Sequence, residues 1–187
     1  EVSYSYGVWS SDFVFSGIQS FEDAVLTQDY YEAELKVKYA MAYSTYLFAL
    51  TGYREDSFSG IYSEKKGVAG VGYHAFEDEP SYSVDVELGY GERVSKKVDR
   101  VRLDYDPGFH IGILSEYLFS EEDLVKLNIT IEAGNDDDYI KKVLTWEHVL
   151  FENLSVNFDY ESRTVTKPEL GKARSDGNVS VKLGYKF

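Results

Sequence analysis

Apolar and polar residues alternate with period two along most of this chain, the mark of strands with one apolar and one polar face. Residues 30–39 set Tyr31, Ala33, Leu35, Val37 and Tyr39 against Glu32, Glu34, Lys36 and Lys38. Residues 82–91 set Tyr82, Val84, Val86, Leu88 and Tyr90 against Ser83, Asp85, Glu87, Gly89 and Gly91. The same pattern runs through 2–9, 124–133, 154–161 and 178–187, and more weakly through 45–54, 67–75, 107–118 and 140–150. Ten strands are predicted, each about eight to twelve residues, near the roughly 9–11 that a tilted membrane strand needs. Short turns are predicted near Ala40–Ser44, Glu77–Pro80, Ser120–Asp123 and Phe151–Asn153. Longer polar links are predicted at Ser10–Asp29, Glu55–Lys66, Arg93–Asp106, Gly134–Tyr139 and Thr164–Gly177. Short connections at one end and long ones at the other are the asymmetry of an outer-membrane barrel, and an even strand count would return residue 1 to the short-turn side.

The pattern predicts an all-β chain, an antiparallel up-and-down transmembrane β-barrel forming a single domain over 1–187. Alternation alone does not say which face points outward, because a soluble ligand-binding barrel alternates with its apolar residues inside. Two features favour apolar-out. The polar faces carry charges of both signs, Glu32, Glu34, Lys36, Lys38, Asp85, Glu87, Lys126, Glu132, Asp159, Glu161 and Lys182, which a small barrel could pair across its lumen. The apolar faces begin or end in tyrosine, at Tyr31 and Tyr39, Tyr82 and Tyr90, Tyr160 and Tyr185, as rings at two membrane interfaces would.

Composition sharpens this. Aromatic residues make up 16% of the chain, with 17 Tyr and 11 Phe, in keeping with two aromatic belts. Mean hydropathy is −0.35, and no continuous apolar run approaches a membrane helix. With no cysteine, disulfides and thiolate metal sites are excluded. A net charge of −14 argues against a nucleic-acid partner.

Candidate chemistry is sparse, and neither a catalytic residue, a cofactor nor a metal is expected. His74, His110 and His148 lie on three different strands, and no serine stands in a nucleophile-elbow context. His148 shares its face with Leu144, Trp146 and Leu150, which suits an interfacial position. Asp136, Asp137 and Asp138 make an acidic loop that could take calcium, but it lacks the glycine and twelfth-position glutamate of an EF-hand. Gly67–Gly72 resembles a nucleotide loop only in composition, since it lies within a strand with no helix to receive phosphate. The glycines Gly70, Gly72, Gly89 and Gly91 are expected to make room for bulky inner neighbours. Charge pairs such as Glu32 or Glu34 with Lys36 or Lys38 are expected to plug the lumen rather than select ions. Lys65, Lys66, Arg93, Lys96, Lys97, Arg100 and Arg102 cluster near outer strand ends, where they could contact lipopolysaccharide phosphates.

Two resemblances extend this reading. The last strand, Val179, Val181, Leu183, Tyr185 and Phe187 on one face, stops on an aromatic residue. It resembles the signal, here Tyr185 and Phe187, by which outer-membrane barrels are passed to the barrel assembly machinery. The stretches Tyr46–Phe48, Tyr53–Gly60, Gly70–Tyr73, Leu88–Gly91, Ile131–Gly134 and Leu183–Phe187 together resemble, in order, the salt-induced outer membrane protein family, a domain of unknown function. That resemblance implies a signal peptide, the bacterial outer membrane and a barrel, and brings no catalytic residues. An early Ser-Gly-Asn-Thr strand pair of that family is missing here, so ten strands are expected, or twelve if the chain is a fragment. The implied role is structural or in envelope stress, with membrane lipid and lipopolysaccharide as partners. The alternatives are a narrow channel for ions or small solutes, an accessory subunit of a larger envelope complex, and an outer-membrane hydrolase that the missing triad disfavours.

Overall fold

The alternating segments form one antiparallel meander. In a computed structural model, which describes residues 2–22, 25–56, 61–76, 81–97, 103–135, 137–167 and 174–185, eleven strands follow one another in chain order. They are β1 (Val2–Tyr6), β2 (Trp9–Glu22), β3 (Val25–Ala42), β4 (Thr45–Asp56), β5 (Ile61–Ala75), β6 (Tyr82–Lys97), β7 (Leu103–Leu118), β8 (Asp123–Gly134), β9 (Asp138–Phe151), β10 (Leu154–Val165) and β11 (Ser175–Tyr185). Among the described residues each pairs with its neighbours in sequence and with no other strand. Short closing turns favour such a ladder, and Gly7 supplies the left-handed φ of +61° that the β1–β2 turn requires.

The strand count differs from the ten expected, because part of the predicted Ser10–Asp29 link is β2. Its alternation is broken: Val14 and Ile18 fall on the same face as Ser10, Asp12 and Ser16, while Ser11 and Gly17 fall on the apolar one. Only its register against β3, Trp9 opposite Tyr39 and Phe13 opposite Leu35, identifies it as a strand. Eleven strands also overturn the expected return of residue 1 to the short-turn side. β1 and β11 run in the same sense, and among the described residues they do not pair.

The strands are longer than expected and absorb most of the predicted long links. One end of the sheet is connected through 7–8, 43–44, 76–81, 119–122 and 152–153, the other through 23–24, 57–60, 98–102, 135–137 and 166–174. The intervals between the described strands are mostly short, so the expected asymmetry of connections is largely an extension of the strands themselves. The ends are called here the turn end and the loop end.

The sheet curls strongly. Lys141 on β9 reaches Glu32 on β3 at 2.6 Å, and the Arg163 guanidinium on β10 lies 3.7 Å from the Tyr30 ring centroid on β3. Curling decides which face is inside. Leu88 is 54% exposed on the convex face while Glu87, beside it in sequence, is 6% exposed on the concave one. The same inversion holds along the molecule: Val86, Leu127, Phe158, Val181 and Leu183 are exposed, whereas Arg54, Glu64, Arg93, Asp106, Glu132, Asp159 and Arg163 are buried. The apolar face therefore points outward, opposite to a soluble barrel.

Aromatic rings band the convex face. Near the turn end Trp9 packs on Tyr39 with ring centroids 4.8 Å apart, Tyr82 on Tyr117 at 6.3 Å and Tyr117 on Phe119 at 4.5 Å. Further along the strands Tyr90 meets Phe109 edge-on at 5.4 Å. Tyr82 and Tyr90 lie about 26 Å apart along the strand, which at the roughly 35–45° tilt of barrel strands covers about 20 Å of height.

Candidate functional site: a charged concave face

The concave face is filled by side chains of alternate parity from nearly every strand. A small apolar cluster lies on β4, where Tyr46, Phe48 and Leu50 are buried against Val68. It fits because β5 carries glycine opposite it. A Cβ at Gly72 would sit 2.1 Å from the Tyr46 ring, and one at Gly70 would sit 2.7 Å from the Phe48 ring.

Around this cluster the charges pair across strands. Toward the loop end Lys66 lies between Glu34 at 2.8 Å and Glu132 at 2.9 Å. Arg93 binds Asp106 and Asp137, each at 2.6 Å, and Arg54 binds Glu64 at 2.9 Å while stacking on Tyr139. Lys141 holds Glu32, which also accepts the Tyr30 hydroxyl at 2.6 Å. Glu161 is held by Arg163 and Lys141. Toward the turn end Lys36 binds Glu87 at 2.7 Å, and the Tyr46 hydroxyl donates to Glu87 at 2.9 Å. Lys38 lies 3.8 Å from Asp12, Asp85 2.6 Å from His74, Lys182 2.7 Å from Asp159, and Lys126 3.4 Å from Glu147.

The pairs expected within β3, Glu32 or Glu34 with Lys36 or Lys38, are not the ones formed. These side chains project from one strand in parallel, whereas curling brings opposite charges from β5, β6 and β9 in front of them. The basic cluster expected at the outer strand ends is divided in the same way. Lys66 and Arg93 turn inward, Lys65 stays on the convex face, and Lys96 lies 4.9 Å over the Tyr62 ring. Arg100, Arg102 and the Lys97 side chain lie outside the described residues. In the acidic loop, Asp137 is tied to Arg93, the Asp138 amide donates to Thr166, and Asp136 lies outside the described residues. Of the terminal pair, Tyr185 is exposed on the convex face and Phe187 lies outside the described residues.

Arg54, Glu64, Asp106, Lys141 and Arg163 belong to the network but are not among the charges expected in the lumen, and Lys66 and Arg93 are expected only as outer contacts to lipopolysaccharide. The signal was parity. The strand predicted over 45–54 already contains Arg54, and extending the alternation of 82–91 by two residues reaches Arg93.

The histidines occupy three environments. His74 meets Asp85 at the turn end, beside the Tyr46 ring. His148 lies on the convex face next to Trp146, and its ring is bonded to Asp123 at 2.9 Å. Ser120 and Trp146 also donate to the Asp123 carboxylate. His110 is buried at the centre of the concave face, and among the described residues neither ring nitrogen has a hydrogen-bond partner. Among the described residues no hydroxyl is bonded to a histidine, and no group of three or more His, Cys, Asp or Glu could hold a metal ion.

A solved porin structure resembles the chain with a TM-score of 0.48 and 12% identity, over 99% of this chain and 60% of that one. The chain thus spans less than two thirds of that porin's length. No curated protein matches it. A family model described as "Protein of unknown function, DUF481" matches residues 1–187, and the chain belongs to that family.

Proposed function

We propose that this protein is a non-enzymatic β-barrel of the bacterial outer membrane, of the salt-induced type, with a structural or envelope-stress role. The observation that carries the reading is the inversion of polarity: exposed apolar side chains with aromatic bands on the convex face, buried charges on the concave one. In water that arrangement leaves a very large apolar surface uncovered, whereas in a bilayer it meets lipid. An antiparallel closure of the sheet takes a twelfth strand between β1 and β11, since an even number is needed for the first and last strands to run oppositely. Lys65 and Lys96, near the loop end, suit the phosphates of lipopolysaccharide. Tyr185 and Phe187 suit delivery by the barrel assembly machinery, and the turn end is the surface available to an envelope-complex partner. Purified in detergent, the protein is expected to show β-rich circular dichroism and to migrate differently on a denaturing gel with and without heating. Stable monomeric solubility without detergent would contradict the membrane reading.

The rival reading is a narrow channel. The paired concave charges speak against it, because long side chains locked in ion pairs occupy the space a hydrated ion needs. Planar bilayers are expected to show no steady ionic conductance with the intact protein. Replacing Lys36, Glu87, Lys126 and Glu161 together by alanine is expected to open a measurable leak. Stable ion-selective steps from the unmodified protein would promote the channel.

A further inference from the structure

The charge network does not fill the concave face evenly. On β6, β7 and β8 the inward positions include Gly89, Gly91, Gly108, Gly112 and Gly134, which offer no side chain to the interior. Two voids lie along this bare wall. The one toward the turn end has a volume of about 80 Å³ and is lined by Lys36, Glu87, Asn128 and Thr130 among others. The one toward the loop end has about 20 Å³ and is lined by Arg93, Asp106 and Glu132 among others. A buried water needs roughly 10–15 Å³ measured in this way, together with two to four polar partners. The lower void therefore has room for several waters between polar walls, and the upper for about one, which among mostly apolar walls has Arg93, Asp106 and Glu132 as polar partners.

His110 lines both voids. It is 3% exposed, its two ring nitrogens are without hydrogen-bond partners among the described residues, and its Nε2 lies 3.7 Å from Glu87. A buried imidazole with no partner is costly unless water reaches it, and the adjoining voids are where water can stand. Carboxylates flank it on either side, Glu87 in the lower wall and Glu132, its Cα partner on β8, in the upper. Either can stabilise a transient imidazolium.

We propose that His110 is a proton relay between these two hydrated voids, giving the barrel a path for protons that ions cannot follow. A proton from the lower void adds to the unprotonated ring nitrogen. The imidazolium then releases the proton on its other nitrogen into the upper void, and a ring turn restores the starting tautomer. Only N–H bonds form and break, nothing is oxidised or reduced, and a pH difference across the membrane supplies the driving force. Ions are excluded by the paired side chains that occupy the rest of the concave face. The proposal rests on the membrane reading above and deepens it.

The test uses the whole protein reconstituted into vesicles that enclose a pH-sensitive dye. Insertion is established first, by flotation with the vesicles and heat-dependent gel migration; failure here counts against the membrane reading rather than the relay. With valinomycin and potassium present to prevent charge build-up, inserted protein is expected to carry protons faster than protein-free vesicles do. The same vesicles without valinomycin should retain potassium and chloride. His110→Phe, which keeps a ring but cannot take a proton, is expected to abolish the added flux, and His110→Gln provides the same test should the phenylalanine variant fail to insert. His148→Asn, on the convex face beside Trp146, is expected to leave the flux unchanged. Inserted wild-type protein at the protein-free level, an unchanged flux in an inserted His110 variant, or potassium escaping with the protons would each overturn the proposal.

Discussion

Replacing Leu127 by arginine is expected to destabilise the membrane-inserted protein by roughly 2–4 kcal/mol, and Val181→Arg by a similar amount. Both side chains lie on the convex face, 37% and 61% exposed in the isolated chain, midway along β8 and β11. If they meet hydrocarbon, the guanidinium must be taken from water into lipid or drag water in with it. Asn128→Arg is the internal control. It is one residue from Leu127, on the same strand, but it lines the larger concave void beside Glu34, Asp85 and Glu87. An arginine there finds water and carboxylates, so it should cost much less. The measurement is the denaturant midpoint of the folded, unheated gel band in detergent or lipid. Equal costs at 127 and 128, or the reverse order, would contradict an apolar-out barrel.

The second large effect is expected at Lys66. Its ammonium lies between Glu34 and Glu132 at 2.8 and 2.9 Å, with only 12% of its side chain exposed. Lys66→Ala leaves two carboxylates facing each other in a confined interior. Removing one member of a buried ionic cluster costs about 3–5 kcal/mol, most of it the penalty of the charge left behind. The double variant Lys66→Ala/Glu132→Ala should recover part of that loss. The remaining Glu34 is 27% exposed and can be hydrated, and Arg93 keeps Asp106 and Asp137. The same midpoint reads both variants. A single-variant loss below about 1 kcal/mol would mean that this pair behaves as a solvated surface bridge.

Most of the architecture was legible in the sequence because a strand writes its two faces directly into residue parity. Ten of the eleven strands follow from alternation, and the aromatic residues that end the apolar faces, such as Tyr82 and Tyr90, were visible as well. The strand that escaped, β2, escaped for a physical reason. Val14 and Ile18 interrupt its polar face, and only the hydrogen-bonded partner β3 sets its register. Strand lengths were underestimated for a related reason. Arg93 looks like a loop residue by composition, and only an interior lined with carboxylates makes it a strand residue.

The sequence by itself therefore determined the secondary structure, the order of the meander and which residues share a face, all local properties of a chain whose side chains alternate. Tertiary structure alone decided which face is concave. Alternation is symmetric between inside and outside, and only the curl of the sheet breaks that symmetry. Curl also chose the charge partners, setting Glu32 against Lys141 and Lys36 against Glu87 across strands distant in sequence. It left His110 between two voids along a wall of glycines, a juxtaposition with no signature in the order of the residues.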